Sequence, residues 1–132
     1  MSDAREDDAL ADLKREANDA IWTHHSWVSV LKRAIETRTS KQTVAEVADS
    51  SACSIGVWLL TGIPAHLRDS PLYETTVRAH DRFHAEAAVV LEAALAGNAP
   101  TALSRMHRGG MFFEAAANMR SALYEWVNIA QP

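Results

Sequence analysis

Cysteine is nearly absent from this chain: Cys53 is the single one in 132 residues. That excludes an intrachain disulfide and leaves Cys53 as a thiol, a metal ligand or a small buried hydrophobe. Glycine and proline are scarce, at five and four residues, and they concentrate at 62–64, 97–100 and 109–110. No apolar run approaches the ~18 residues that cross a bilayer, so no membrane partner is expected. Positive charge is not in excess either. Thirteen Lys and Arg are scattered among seventeen Asp and Glu, for a formal net charge of -4. This gives no electrostatic footprint for nucleic acid. The opening MSDAREDD is acidic and polar, unlike a signal peptide. It is expected to be a disordered tail over residues 1–8 of a cytoplasmic protein. Sustained alternation of β-branched and polar residues, the mark of a strand, is also missing.

What the chain does have is apolar content of 48%, enough for a folded domain over residues 9–130. Between the Gly/Pro clusters its apolar residues recur at helical spacing. The pattern predicts an all-α fold: a four-helix bundle with an additional short helix carrying Cys53. The first helix is predicted from Asp7 or Asp8 to about Thr37, with Ala17, Ile21, His24, Val28, Leu31 and Ile35 on its inner stripe. A turn at 37–41 precedes a short helix over 42–48. A second short helix, over 53–60, is expected to turn Cys53, Gly56, Val57 and Leu60 inward. Residues 61–69 read as a loop. Ser70 followed by Pro71 supplies a capping hydroxyl and then proline at the first helical position. That helix is predicted to run to Ala96, with Gly97 as its stop. The last helix is predicted over 100–129, kinked at Gly109 and Gly110.

His80 and His84 carry the strongest chemical signal. Their i, i+4 spacing stacks two imidazoles on one helix face, and that face is the apolar stripe. A lone histidine there is usually a satisfied core residue. Two of them leave several ring nitrogens to satisfy in a core, and a metal satisfies one on each. His24 lies on the inner stripe of the first helix, with His25 one step round on its flank. Cys53 faces inward beside Gly56, where a neighbouring backbone can come close. His24, Cys53, His80 and His84 thus form a Cys-His₃ set, the number and type of ligands that tetrahedral Zn²⁺ takes. Inward carboxylates for a diiron site are missing: Glu86 and Asp81 fall on other faces. A blue-copper site uses two histidines, a cysteine and usually a methionine; three histidines fit zinc better. Trp22, Trp27, Trp58 and Trp126 read as core or interface aromatics, with Trp58 alternatively walling off the metal. His66 and His107 read as exposed.

These residues resemble the chemoreceptor zinc-binding (CZB) family of bacteria. His24-His25-Ser26-Trp27 matches the family's histidine followed three residues later by tryptophan. Cys53-Ser54-Ile55-Gly56-Val57-Trp58-Leu59 matches its central motif, with Ile55 in place of the usual Leu or Phe. His80-Asp81-Arg82-Phe83-His84 matches its His-x-x-x-His. The resemblance covers roughly residues 21–95. It implies a helical bundle that often dimerises, with Zn²⁺ held by His24, Cys53, His80 and His84. It also implies sensing of zinc, or of oxidants such as hypochlorous acid, on behalf of a chemoreceptor or a diguanylate cyclase. Neither a cyclase domain nor a receptor signalling hairpin is present in the sequence. A free-standing member or a piece of a larger protein both fit.

The reading is therefore a zinc-binding regulatory domain, in which oxidation of a zinc-held thiolate weakens one ligand of the set. A structural staple for protein interaction is the alternative. A zinc hydrolase is disfavoured, because Cys53 fills the position that a catalytic site leaves open to water. A homodimer is expected as well: Met111, Phe112, Phe113, Met119, Leu123, Trp126 and Val127 cover more than one face of the last helix. Trp22 and Val30 add apolar surface off the stripe of the first.

Overall fold

The computed structural model describes residues 4–130. Their order is α1 (Ala4–His25), α2 (Trp27–Thr37), α3 (Val44–Ala48), a 3₁₀ turn at Ser50–Ala52, α4 (Ser54–Thr61), α5 (Ala65–Arg68), α6 (Pro71–Leu95), α7 (Ala99–Met106) and α8 (Met111–Ala130). No strand occurs among the described residues, so the fold is all-α as the periodicity predicts. Of the N-terminal segment expected to be disordered, residues 1–3 lie outside the described residues. Helix α1 already begins at Ala4, ahead of the start expected at Asp7 or Asp8.

Helix α6 is the axis of the molecule and packs against α2, α3, α7 and α8, while α1 lies along α8. Its local chemistry explains its length. The Ser70 hydroxyl accepts the Leu72 N–H at 3.2 Å, and Pro71 occupies the first helical position, where its missing N–H costs nothing. At the far end Gly97 takes φ +77°. Its N–H bonds to the Ala94 carbonyl at 3.1 Å, and the Asn98 N–H bonds to Ala93 at 2.8 Å. These two bonds are the Schellman closure that a left-handed glycine permits. Between the caps, Phe83, Ala87, Val90, Leu91 and Ala94 join Leu31 and Ala34 of α2, Val47 of α3, and Phe112, Met119, Leu123 and Trp126 of α8 in one buried cluster.

The structure departs from the sequence-based helices at four places. The helix predicted as continuous to Thr37 breaks at Ser26, whose hydroxyl donates to the Thr23 carbonyl at 2.5 Å. The Ser29 N–H then closes a tighter turn on Ser26 at 3.1 Å. Side-chain competition for a helix carbonyl is a known source of bends. The segment 61–69, expected to be a loop, contains α5. The helix predicted over 100–129 with a kink at Gly109 and Gly110 is two helices, broken by a turn at 107–110. Both run antiparallel to α6, with Arg105 paired to Glu86, Phe112 packed on Phe83 and Trp126 on Tyr73. In the turn Gly109 takes φ +87°, and a Cβ on Gly110 would lie 2.3 Å from the Arg105 carbonyl oxygen. Lastly, the inward row of α4 is Ile55, Gly56 and Leu59, while Val57 and Leu60 are exposed. The helix does not begin until Ser54, and Cys53 is the extended residue that caps it.

Most of the apolar residues of α8 are absorbed by the core. Met111 and Phe113 remain exposed, as do Trp22 and Val30 on α1 and α2.

Candidate metal centre

Four side chains from three parts of the chain converge beside α6. His24 comes from the last turn of α1, Cys53 from the junction of the 3₁₀ turn and α4, and His80 and His84 from successive turns of α6. One ring nitrogen of each histidine and the Cys53 sulfur all lie within 4.8 Å of one another, an arrangement that can hold a metal ion. His24 Nε2 is 3.1 Å from His80 Nε2 and 3.7 Å from Cys53 Sγ. The three histidines are buried, at 1–2% exposure, and Cys53 is half-buried. His25 is exposed and lies outside the cluster. Helices α7 and α8 contribute none of the four.

Backbone carbonyls orient two of the rings. His24 Nδ1 donates to the Ala20 carbonyl at 2.7 Å, and His84 Nδ1 donates to the Val47 carbonyl at 2.9 Å. A carbonyl only accepts, so each Nδ1 carries the proton, and each neutral ring aims the lone pair of Nε2 at the cluster. The Val47 carbonyl is free for this because it lies in the last turn of α3, where helix carbonyls lack intrahelical partners. A capping box fixes α3 in turn: the Thr43 hydroxyl accepts the Glu46 N–H, and the Glu46 carboxylate accepts the Thr43 N–H. His84 Nε2 is buried with no hydrogen-bond partner. Such an orphan costs about 1–3 kcal/mol, and a cation at the centre is the group that would satisfy it.

Burial works against ionisation of the Cys53 thiol. The imidazoles of His24, His80 and His84 beside the sulfur and the Ile55 N–H outweigh it, and the thiol is held at about 3. Burial lowers His80 below the ordinary imidazole range. Burial also opposes the charge on His84, but its contacts with Cys53 and the Val47 carbonyl raise it. The folded pKa of Cys53 is thus far below the ordinary thiol value of 9.0. Its contribution to the stability of the metal-free fold is complete above pH 9 and is lost progressively as the pH falls toward 3. Metal-free native protein is therefore expected to show thiolate ultraviolet absorbance at neutral pH. That absorbance should vanish on unfolding in denaturant at the same pH. A native thiol titrating near its ordinary value would contradict this geometry.

Gly56 makes the cluster possible. A Cβ there would stand 2.0 Å from the Ser50 carbonyl oxygen and 3.3 Å from His80 Cε1. The close approach expected at Gly56 is thus between α4 and the 3₁₀ turn that delivers Cys53. Ser50 also donates its hydroxyl to Asp81 on α6 at 2.6 Å, so Asp81 anchors that turn and makes no bond to a histidine ring. This role has no signature in the sequence beyond the adjacency of Asp81 to His80. The aromatic wall differs from expectation as well. Phe83 stands edge-on to His24, with centroids 4.9 Å apart, and Trp27 to His84 at 6.3 Å. Trp58 pairs instead with Trp126.

Four nitrogen and sulfur donors, with the tautomers of His24 and His84 fixed and an anionic sulfur, suit a cation of borderline softness. Comparison of the chain with protein-family models, with curated proteins and with solved structures found no match in any of the three.

Proposed function

We propose that this chain is a zinc-binding sensory domain of the CZB kind, without enzymatic activity, in which His24, Cys53, His80 and His84 hold Zn²⁺. The observation that carries this reading is the convergence of the four donors, with His84 Nε2 buried and unpartnered among them. Zinc bonds of ~2.0–2.1 Å to nitrogen and ~2.3 Å to sulfur give tetrahedron edges of about 3.3 Å between nitrogens and about 3.6 Å from nitrogen to sulfur. Two of the separations, 3.1 Å and 3.7 Å, are close to those edges, in a set whose atoms lie within 4.8 Å of one another. Bound zinc would supply the charge that keeps Cys53 a thiolate.

The chain's own part is to expose that thiolate selectively. Cys53 is the least buried of the four donors and the one open to two-electron oxidation. Attack of the sulfur lone pair on the chlorine-bearing oxidant hypochlorous acid forms Cys53 sulfenic acid and releases chloride. Sulfur is oxidised and chlorine reduced, each by two electrons. The neutral product is a weaker ligand, and its change reaches the 3₁₀ turn and α4 that Cys53 joins. Without a second cysteine in the chain, reversal falls to an external thiol. The output passes to a signalling partner, and the same reading takes the domain as a homodimer, which sedimentation measures directly.

The test is metal content by mass spectrometry, before and after one equivalent of hypochlorous acid, with a chromogenic chelator following zinc. One zinc per chain, a single added oxygen on Cys53, zinc release and recovery with a thiol reductant are expected. Protein purified without zinc that takes up none would defeat the zinc reading. Oxygen on the methionines, with Cys53 reduced and zinc retained, would defeat the oxidant reading.

A further inference from the structure

Beside the donor cluster a concavity opens among α1, α2, α7 and α8, with Phe83 of α6 in its lining and a volume of about 370 Å³. That is within the ~300–1,000 Å³ typical of small-molecule sites. Its body is apolar, built from side chains such as Ile21, Val28, Phe112 and Met119. Its charged lining is of one sign. Lys32 and Arg120 line it together with the imidazoles of His25 and His107, and no aspartate or glutamate does. In a chain whose net charge is -4, a carboxylate-free cationic rim is a local inversion. Among the described residues, neither Lys32 nor Arg120 has a carboxylate within ion-pair distance.

An apolar cavity with cations at its mouth favours a ligand that is apolar at one end and anionic at the other. The apolar part gains by leaving water. The anionic head can stay at the solvated rim, where it avoids the cost of burial. We infer that this cavity binds an amphipathic monocarboxylate of the fatty-acid class. Its alkyl chain lies against Phe83, Phe112 and Met119, and its carboxylate meets Lys32 and Arg120. The guanidinium offers the carboxylate a two-pronged partner, and the ammonium a mobile point charge. His24 also lines the cavity, so a ligand seated there lies against a residue of the metal centre.

Titration calorimetry on the full chain, with its metal content measured, tests this using decanoate and decanol below their aggregation limits. Decanoate is expected to saturate at one per chain, and decanol to bind at least about tenfold more weakly, or ~1.4 kcal/mol. Replacing both exposed cations (Lys32→Ala with Arg120→Ala) should bring decanoate down to the affinity of decanol and leave decanol unchanged. Ala116→Leu, which projects into the cavity from α8, should weaken both ligands. Absence of saturable binding would overturn the proposal, and so would equal affinity for acid and alcohol. Decanoate binding that survives the double variant would do the same. If decanoate fails to bind and the double variant alters the sedimentation of the protein, the cavity is covered by a second copy of the chain and the proposal is wrong.

Discussion

Replacing His24 with alanine is expected to weaken zinc binding by about 10²–10³-fold, while the same change at its neighbour His25 leaves affinity unaltered. The contrast follows from register. His24 is buried at the end of α1, with Nε2 facing Cys53 and His80 and Nδ1 tied to the Ala20 carbonyl. His25 points to solvent. Structural zinc sites bind with about 10–16 kcal/mol of apparent free energy. An even share for one of four ligands is about 2.5–4 kcal/mol, and each ~1.4 kcal/mol is tenfold. Competition against a chromogenic chelator reads the affinity, and circular dichroism confirms that both variants keep their helix content. A large loss in His25→Ala with little change in His24→Ala would show that the first helix is rotated by one residue.

Gly56→Ala should be the most damaging change that removes no donor. Its Cβ would collide with the Ser50 carbonyl oxygen at 2.0 Å. That oxygen is backbone and cannot swing aside. It accepts the Cys53 N–H at 3.3 Å, and its residue is tethered to Asp81. Relief therefore requires the 3₁₀ turn to move, carrying Cys53 with it. Overpacking of this kind costs about 1–3 kcal/mol and at times more, so a lower melting temperature and weakened zinc affinity are expected together. Gly109→Ala is the control. Gly109 has φ +87°, but a Cβ added there would meet nothing within 4 Å. It should cost only the left-handed backbone penalty of about 1–2 kcal/mol and leave the metal affinity untouched. A Gly56→Ala protein with normal melting and normal zinc affinity would refute the account of that contact.

The parts of this fold that are legible in the sequence are those written in side-chain chemistry. Ser70, Pro71 and Gly97 mark both ends of α6. The i, i+4 spacing places His80 and His84 on its buried face, and the stripe of α1 separates His24 from His25. What is not legible depends on main-chain groups and on tertiary closure. Nothing in the identity of Val47 or Ala20 announces that its carbonyl will orient a histidine. Ser26 reads as an ordinary helix residue until its hydroxyl takes the Thr23 carbonyl. The apolar neighbours of Cys53 make it read as a helix residue. It caps that helix instead, and this turns the inner row of α4 to Ile55, Gly56 and Leu59. Periodicity also cannot separate a kink from a full break. At Gly109 and Gly110 both readings have the same local composition, and the left-handed backbone of Gly109 makes it a break between two helices that follow α6 in the same direction.

The four donors all lie between residues 24 and 84, whereas α7 and α8 are held to α6 and α1 mainly by side-chain packing, with the Arg105–Glu86 ion pair and a bond from the Thr76 hydroxyl to the Ala122 carbonyl. A bound ion stabilises only those openings that break one of its bonds. Local unfolding that lifts α7 and α8 away leaves every donor in place. On the zinc reading the domain is expected to open as two units with separate free energies. Amide hydrogen exchange in the end of α1, in α3 and in α4 should then slow with metal concentration, and exchange in α8 should follow the apolar seam of Phe112, Met119, Leu123 and Trp126 instead.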